Sequence, residues 1–216
     1  MRRRGYLRGV LAGGITSVVA GCLGGTGGSS GRTDGSSGGS GGTVDSLPAP
    51  VQGDPEAGVT VQVFEDYACP HCRQYEEDVL PKLEADYVDP GTIRYEHHDF
   101  PIPVDDRWSW VAASAARGVQ DHVGDAAFFE YTHALFEHQS EYSLSLVASL
   151  AGDVGADGET IREAADAQTY RPVLEADREL GLQMGLDGTP EVYVDGEQTA
   201  DHAYETIASA IENARS

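Results

Sequence analysis

Two cysteines separated by two residues, within residues 66–72, are the residues in this chain best suited to chemistry. The spacing puts both sulfurs within one helical turn, close enough to form a disulfide. Cys69 lies where a predicted helix begins, and there unpaired N–H groups and the helix dipole favour thiolate over thiol. Pro70 suits a first helical position, and a protonated His71 adds positive charge beside the sulfur. Because a stabilised thiolate favours the reduced form, the pattern predicts an oxidising dithiol/disulfide site.

A metal site is the main alternative, because two cysteines at this spacing are also half of a zinc site. The chain has no second cysteine pair. His97 and His98 are the only candidates to complete four ligands, and adjacent strand residues point to opposite faces of a sheet. We therefore expect no metal and no cofactor other than a redox-active Cys69–Cys72 disulfide. A module that binds metal through these cysteines and one histidine is the rival interpretation.

The chain is strongly acidic. Asp and Glu number 36 against 14 Lys and Arg, and Lys82 is the only lysine. Four of the arginines lie in residues 2–8, so the remainder carries a formal charge of about −26. We expect no nucleic acid partner for such a surface. The composition is typical of a halophilic protein, since molar salt reduces the Debye length to about 3 Å and screens self-repulsion. An ordinary acidic secreted protein is the alternative.

Residues 1–22 have the features of an export signal. Four arginines precede a short, glycine-interrupted apolar stretch that is too short to span a bilayer as a helix. Residues 3–8, Arg-Arg-Gly-Tyr-Leu-Arg, resemble the twin-arginine motif, whose pathway exports folded proteins. Residues 19–22, Val-Ala-Gly-Cys, resemble a lipobox, which predicts cleavage before Cys22 and a lipid on its sulfur. We therefore expect the mature protein to be lipid-anchored at the extracytoplasmic face of the cell membrane.

A linker separates this signal from the predicted domain. Residues 23–46 are almost entirely Gly, Ser and Thr, a composition that buries no apolar surface. Such a segment behaves as a flexible tether with an r.m.s. reach of about 25–30 Å. The folded domain is expected to comprise residues 47–216. With one cysteine for lipid and two for chemistry, none is left for structural disulfides.

Periodic patterns place the cysteines between two strands. Valines recur at every second position over residues 59–63 and predict a strand that ends at the cysteine motif. Apolar residues recur at spacings of three or four over residues 70–87, which predicts a helix. Pro81 should kink this helix, because proline removes a hydrogen bond to the preceding turn. Residues 93–97 alternate again and predict a second strand.

The C-terminal part completes the predicted fold. Residues 191–194 predict a strand, Asp195 and Gly196 a hairpin turn, and residues 203–214 a last helix. This element order is that of a thioredoxin fold. Between its two parts, residues 105–186 are far longer than one crossover needs, and they predict helices at 108–120, 125–139, 144–154, 159–167 and 172–184. The predicted class is therefore α/β, a thioredoxin-like fold with an inserted α-helical subdomain.

Four short motifs together point to one family. They are Phe-Glu-Asp-Tyr-Ala-Cys-Pro-His-Cys at 64–72, Val-Leu-Pro at 79–81, Asp-Phe-Pro at 99–101 and Gly-Thr-Pro at 188–190. With the helical insertion, they resemble the DsbA-like thiol:disulfide oxidoreductases of the thioredoxin superfamily. The resemblance extends from about residue 59 to the C-terminus.

The resemblance implies a role for each site residue. Cys69 would be the exposed nucleophile and Cys72 the buried resolving thiol. Pro190 would follow a cis peptide bond and face the disulfide, which leaves the backbone of Thr189 free to pair with an extended substrate strand. The expected catalytic set is Cys69, Cys72, His71, Pro70, Pro190 and Thr189.

One position departs from the family pattern. Many members carry a buried acidic residue six positions before the nucleophile, where this chain has Val63. Glu65 and Asp66 lie closer to the motif, and either is a candidate proton relay for Cys72. Strand parity puts them on opposite faces, so at most one serves. We favour Asp66, with solvation of both carboxylates as the alternative.

These observations predict an oxidase that introduces disulfides into exported proteins. A substrate thiolate attacks the Cys69–Cys72 disulfide, and a second substrate thiol resolves the mixed disulfide at Cys69. The expected partners are reduced or wrongly bridged exported proteins and, by resemblance to the family, a quinone-linked membrane protein that reoxidises the dithiol. The sequence does not fix the direction of electron flow, so a reductase or isomerase of the same fold is the alternative.

The halophilic interpretation predicts a stability that depends on salt. Diluting the full chain from molar to ~0.1 M salt should unfold it, because the surplus carboxylates are then no longer screened. Circular dichroism at a series of salt concentrations measures the effect. A stability independent of salt would identify an ordinary acidic protein instead.

Overall fold

The computed structural model describes residues 42–102 and 104–216. The predicted signal peptide, Cys22 and most of the predicted linker lie outside these residues. In the described ranges, no helix is both long and apolar enough to cross a membrane. The N–H of Val44 donates to the carbonyl of Thr169 at 2.9 Å, so contact with the folded domain begins ahead of the predicted boundary at residue 47.

A five-stranded mixed sheet forms the centre of the domain. Its strands, in the spatial order β1-β3-β2-β4-β5, are β1 (Val51–Gly53), β2 (Thr60–Glu65), β3 (Arg94–Asp99), β4 (Glu191–Val194) and β5 (Glu197–Gln198). β2 is parallel to β3 and antiparallel to β4. The cysteine motif therefore follows directly after the central strand of the sheet.

The edges of the sheet show what local patterns can and cannot predict. The predicted hairpin turn between β4 and β5 is confirmed, and both of its central residues, Asp195 and Gly196, have positive φ angles of 49° and 82°. β1 was not predicted, because three residues carry no readable alternation. A long-range contact holds it, since the N–H of Val51 donates to Asp125 Oδ2 at 3.0 Å.

The helix predicted over residues 70–87 is confirmed in three pieces. α1 (Pro70–Asp78) ends at Val79, and α2 (Leu80–Leu83) continues into a π-helical segment (Glu84–Val88). The break falls at Val79, just before Pro81, which lies in the first turn of α2. Proline is tolerated there, because its missing N–H would have no partner in a first turn.

The predicted helical insertion is also present, and the C-terminal helix is α8 (Tyr204–Ala214). The inserted helices are α3 (Trp108–Val123), α4 (Asp125–Glu137), α5 (Leu144–Asp153), α6 (Gly158–Asp166) and α7 (Arg171–Met184). Their apolar core includes Tyr67, Cys69 and Cys72, whereas the core beneath the sheet includes Val61 and Val63 of β2. The two cysteines are thus packed against the insertion.

A buried arginine connects the insertion to the sheet and to the N-terminal segment. The guanidinium of Arg117, on α3, donates to Asp99 Oδ2 at 2.6 Å and also contacts Asp177 of α7. It donates to the carbonyl of Pro48 at 3.1 Å as well. Arg117 and Asp99 are both fully buried, so each compensates the charge of the other.

Replacing Arg117 with Met should lower the free energy of unfolding by about 3 kcal/mol, because Asp99 would remain buried without its guanidinium partner. Denaturant titration in molar salt measures the loss. Arg107→Met is the matched control, since Arg107 pairs with Asp166 on the surface and should contribute less than about 1 kcal/mol. Similar small losses in both variants would contradict this role of Arg117.

Candidate active site

Asp66 builds the turn that leads from β2 to the cysteines. Its Oδ1 accepts from the N–H of Ala68 at 2.7 Å, and its Oδ2 accepts from the N–H of Ile102 at 2.6 Å. The carbonyl of Asp66 accepts from the N–H of Cys69 at 2.9 Å. Burial raises the pKa of Asp66 to about 6 although both backbone hydrogen bonds oppose this change. Asp66 therefore fixes the geometry of the loop that presents Cys69.

Cys69 is the N-cap residue of α1, with extended backbone angles (φ −80°, ψ 122°), and Pro70 follows in the first helical turn. The predicted position of the first sulfur at a helix start is confirmed. The expectation that Cys69 is exposed is wrong, since only 3% of its surface is accessible. The reason is tertiary: its Sγ packs against the carbonyl of Thr189 at 3.5 Å, a contact from a loop 120 residues away.

The two sulfurs have opposite acidities. The pKa of Cys69 is lowered to about 5, mainly by a hydrogen bond from the Cys72 thiol and further by the side chain of Thr189 and by the backbone N–H groups of Cys72 and His71. These contributions outweigh burial, which raises it. The pKa of Cys72 is raised, chiefly because the thiol is completely buried. Cys69 is thus held as a thiolate while Cys72 is held as a thiol, and both are unbridged.

The Gly-Thr-Pro motif lies against this pair. The peptide bond between Thr189 and Pro190 is cis, as the resemblance implied. Thr189 and Pro190 line a cavity of about 430 Å³ together with the exposed side chain of His71. His71 acts on the pKa of Cys69 through its backbone N–H. The structure therefore brings all six residues of the expected set to one place.

Glu65 and Asp66 are both buried, so the alternative that both carboxylates are solvated is wrong. The two carboxyl groups interact with different sulfurs, Glu65 with Cys72 and Asp66 with Cys69. Burial, reinforced by the nearby Glu76, raises the pKa of Glu65 well above its usual value. Burial therefore favours the protonated form of Glu65 near the buried thiol, whereas the facing His97 favours the carboxylate.

The histidines considered as metal ligands lie in separate environments. His97 lies between Glu65 and Asp99, with nitrogen to oxygen distances of 3.5 and 3.6 Å. Burial opposes a charge on His97, but these two carboxylates raise its pKa to about 9. His98 stacks on Phe64 instead. Across residues 42–102 and 104–216, no cluster of three or more His, Cys, Asp and Glu side chains could hold a metal ion.

Sequence reasoning missed two residues of the insertion that hold the cysteine loop. Gln139 Nε2 donates to the carbonyls of Tyr67 and Cys69 at 2.9 and 2.8 Å. The hydroxyl of Tyr142 donates to the same Tyr67 carbonyl at 3.0 Å. Both residues lie about 70 positions along the chain from the motif, and no local pattern distinguishes them from other polar residues between α4 and α5. They orient the backbone from which Cys69 projects.

Comparisons with known proteins agree with this geometry. A family model described as thioredoxin matches residues 45–213. The disulfide bond formation protein D of Bacillus subtilis (strain 168) is 31% identical over 170 residues, which are 76% of this chain and 75% of that protein. The chain belongs to the DsbA-like thiol:disulfide oxidoreductases of the thioredoxin family. It is therefore an enzyme, as its sequence predicted.

Solved structures confirm the predicted fold of this DsbA-like chain. Oxidised BdbD from Bacillus subtilis matches with a TM-score of 0.72 and 29% identity, over 80% of this chain and 98% of that one. DsbA from Chlamydia trachomatis matches with a TM-score of 0.69 and 21% identity, over 80% and 95% of the two chains. The second likeness supports the fold alone. A thioredoxin-like sheet with a helical insertion is thus common to all three.

Alkylation of the reduced protein should distinguish the two sulfurs. Cys69 should react with iodoacetamide at a nearly constant rate above pH 6, and the rate should fall as pH drops through about 5. Because the folded pKa is the lower one, the thiolate stabilises the reduced protein above the unfolded thiol pKa of about 8.5, and this stabilisation is lost as pH falls through about 5. Cys72 should stay unmodified.

Peptide mass spectrometry after timed quenching gives both rates. The urea-unfolded chain is the control, because both cysteines should then titrate near about 8.5. Half-maximal reaction of Cys69 near that value in the folded protein would contradict the stabilised thiolate.

Proposed function

We propose that this DsbA-like enzyme acts as an oxidase that transfers its Cys69–Cys72 disulfide to reduced exported proteins. A substrate thiolate attacks Cys69, the disulfide breaks, and Cys72 leaves with the electron pair and takes up a proton. A second substrate thiolate attacks the substrate sulfur of the mixed disulfide and releases Cys69 as a thiolate. Two thiols are oxidised to one disulfide, and the enzyme dithiol receives two electrons.

The stabilised thiolate at Cys69 is the observation that carries the proposal. Its pKa of about 5 favours release of Cys69 in the last step and stabilises the reduced enzyme relative to a dithiol of ordinary pKa. The name of the Bacillus subtilis relative, a disulfide bond formation protein, supports the same direction of electron flow.

The proposed place of action is the extracytoplasmic face of the membrane. Residues 1–22 would direct export, a lipid on Cys22 would anchor the chain, and the glycine-rich residues 23–46 would hold the enzyme just off the bilayer. A membrane redox protein would reoxidise the dithiol there. The cysteine usage permits this location, since Cys22, Cys69 and Cys72 leave no pair for a structural disulfide and the fold does not depend on one.

The oxidised full-length chain should convert a reduced, unfolded protein with two cysteines to its disulfide form, and Cys69→Ser should abolish the reaction. Acid quenching, maleimide labelling and mass spectrometry follow both substrate and enzyme thiols. The potential of the dithiol, from equilibration with glutathione, should be more oxidising than that of thioredoxin. A value near about −270 mV would make the enzyme a reductase and overturn the proposal.

We assign the proton relay to Glu65 instead of Asp66. Burial favours the protonated form of Glu65, and this side chain interacts with Cys72, so it can supply the proton that the leaving Cys72 sulfur needs. Both carboxylate oxygens of Asp66 already accept hydrogen bonds from backbone N–H groups. The carboxylate of Asp66 therefore stabilises the loop before Cys69 and is not assigned to proton transfer.

Glu65→Gln should slow reduction of the oxidised enzyme by a substrate thiol at least about tenfold, because the proton donor to Cys72 is lost. Stopped-flow quenching gives this rate. The pH profile of Cys69 alkylation serves as the internal control and should not move. An unchanged rate of reduction would remove Glu65 from the mechanism.

A further inference from the structure

A second cavity adjoins the one beside the cis-proline loop. The first, of about 430 Å³, includes Thr189, Pro190 and Glu191 in its lining. The second, of about 240 Å³, lies along α1. Asp201 and His202 line both cavities. We call the two cavities together the α1 groove: the first lies beside the active-site loop, and the second lies along the helix that carries the cysteines.

The α1 groove carries negative charge. Glu191 lines its first cavity, Asp78 its second, and Asp201 both. Of the residues that the structure describes, no arginine or lysine lines either cavity. The basic side chains in the two linings are the histidines His71 and His202, and His202 interacts with Asp201. With three carboxylates and no arginine or lysine in the lining, a cationic group on a bound segment would meet an attractive field.

Two of these carboxylates are held in place. The amide of Gln198 donates to Glu191 Oε2 at 2.7 Å. The N–H of Ala203 donates to Asp201 Oδ1 at 3.0 Å, and the hydroxyl of Thr199 donates to the carbonyl of Asp201 at 2.8 Å. Hydrogen bonds from Thr206 and the Ala203 N–H lower the pKa of Asp201, so it is ionised at neutral pH. A ligand would lose little free energy in ordering this rim.

The floor of the second cavity is apolar. Tyr75 and Val79 line it, and Tyr75 is buried in the core beneath. Asp78 and Asp201 lie at the solvent-exposed rim. An apolar floor under an acidic rim fits arginine or lysine, whose aliphatic stem packs on apolar surface while the charged end stays at the edge. A leucine would leave the carboxylates without a partner, and a glutamate would be repelled.

We propose that the α1 groove selects substrates that carry an arginine or lysine a few residues from the reactive cysteine. The inference rests on the proposed function, because it concerns the substrate of the same site. An extended segment advances about 3.3 Å per residue, so a side chain two to four residues from the cysteine lies about 7–13 Å along the groove. Molar salt weakens the selection only in part, since it acts at contact distance.

Peptides with one cysteine provide the test. Each peptide carries a single test residue, which is Arg, Leu or Glu. This residue is placed two, three or four positions before or after the cysteine. Two equivalents reduce the oxidised full-length enzyme, and quenched labelling gives the second-order rate constant. At the best position we expect the Arg peptide to react about fivefold faster than the Leu peptide, and the Glu peptide to be slowest.

The double variant Asp78→Asn, Asp201→Asn should bring the Arg and Leu rates within about twofold of each other. Asp153→Asn is the control: it removes one carboxylate from α5, outside the groove, and should leave the preference for the Arg peptide unchanged. Equal rates for Arg and Leu peptides in the wild type would overturn the inference, as would a preference lost equally in Asp153→Asn. If no peptide reduces the enzyme at all, the proposed oxidase function fails as well. If every peptide is oxidised at the same rate, the oxidase function stands and only the proposed selection for arginine or lysine is wrong.

Discussion

Cys69 and Cys72 are two residues apart, yet the sulfur of Cys69 receives hydrogen bonds at the start of α1 while that of Cys72 is enclosed in the core. Because of this difference in environment, two chemically identical side chains form a reactive pair. The hydrogen bond from the Cys72 thiol to the Cys69 sulfur lowers the pKa of Cys69 and raises that of Cys72, because it stabilises the Cys69 thiolate and keeps the proton on Cys72. The rest of the structure maintains this asymmetry.

The helical insertion helps to maintain the difference between the two sulfurs. It encloses Cys72, and through Gln139 it fixes the carbonyl of Cys69. Its own attachment depends on the buried pair of Arg117 and Asp99, which joins α3 to the end of β3. Asp99 also faces His97, and His97 faces Glu65. The charged side chains that join the insertion to the sheet therefore continue to Glu65, the carboxyl group near the buried thiol. The attachment of the insertion and the proposed proton transfer thus involve one connected set of side chains.

The acidic composition acts at two scales. Over the whole surface, surplus carboxylates suit a protein that stays soluble in concentrated salt. Beside the active site, the same kind of residue is fixed by hydrogen bonds around an apolar floor. Distant charges are screened at high salt, whereas the attraction of a cation in contact with Asp78 or Asp201 is weakened only in part. In this interpretation the general surface governs solubility, and only the groove discriminates between substrates.

The sequence by itself determined what depends on neighbouring residues. The helix start at Cys69, the break before Pro81, the Asp195–Gly196 turn and the helical periods of the insertion follow from local geometry, and the motifs identified the family. Only the tertiary structure decided that Cys69 is covered by Thr189, that Gln139 holds the loop, and that Glu65 is the carboxyl group acting on Cys72. The first two are contacts between residues 120 and 70 positions apart. Burial and pKa depend on such contacts, and no periodicity in the chain encodes them.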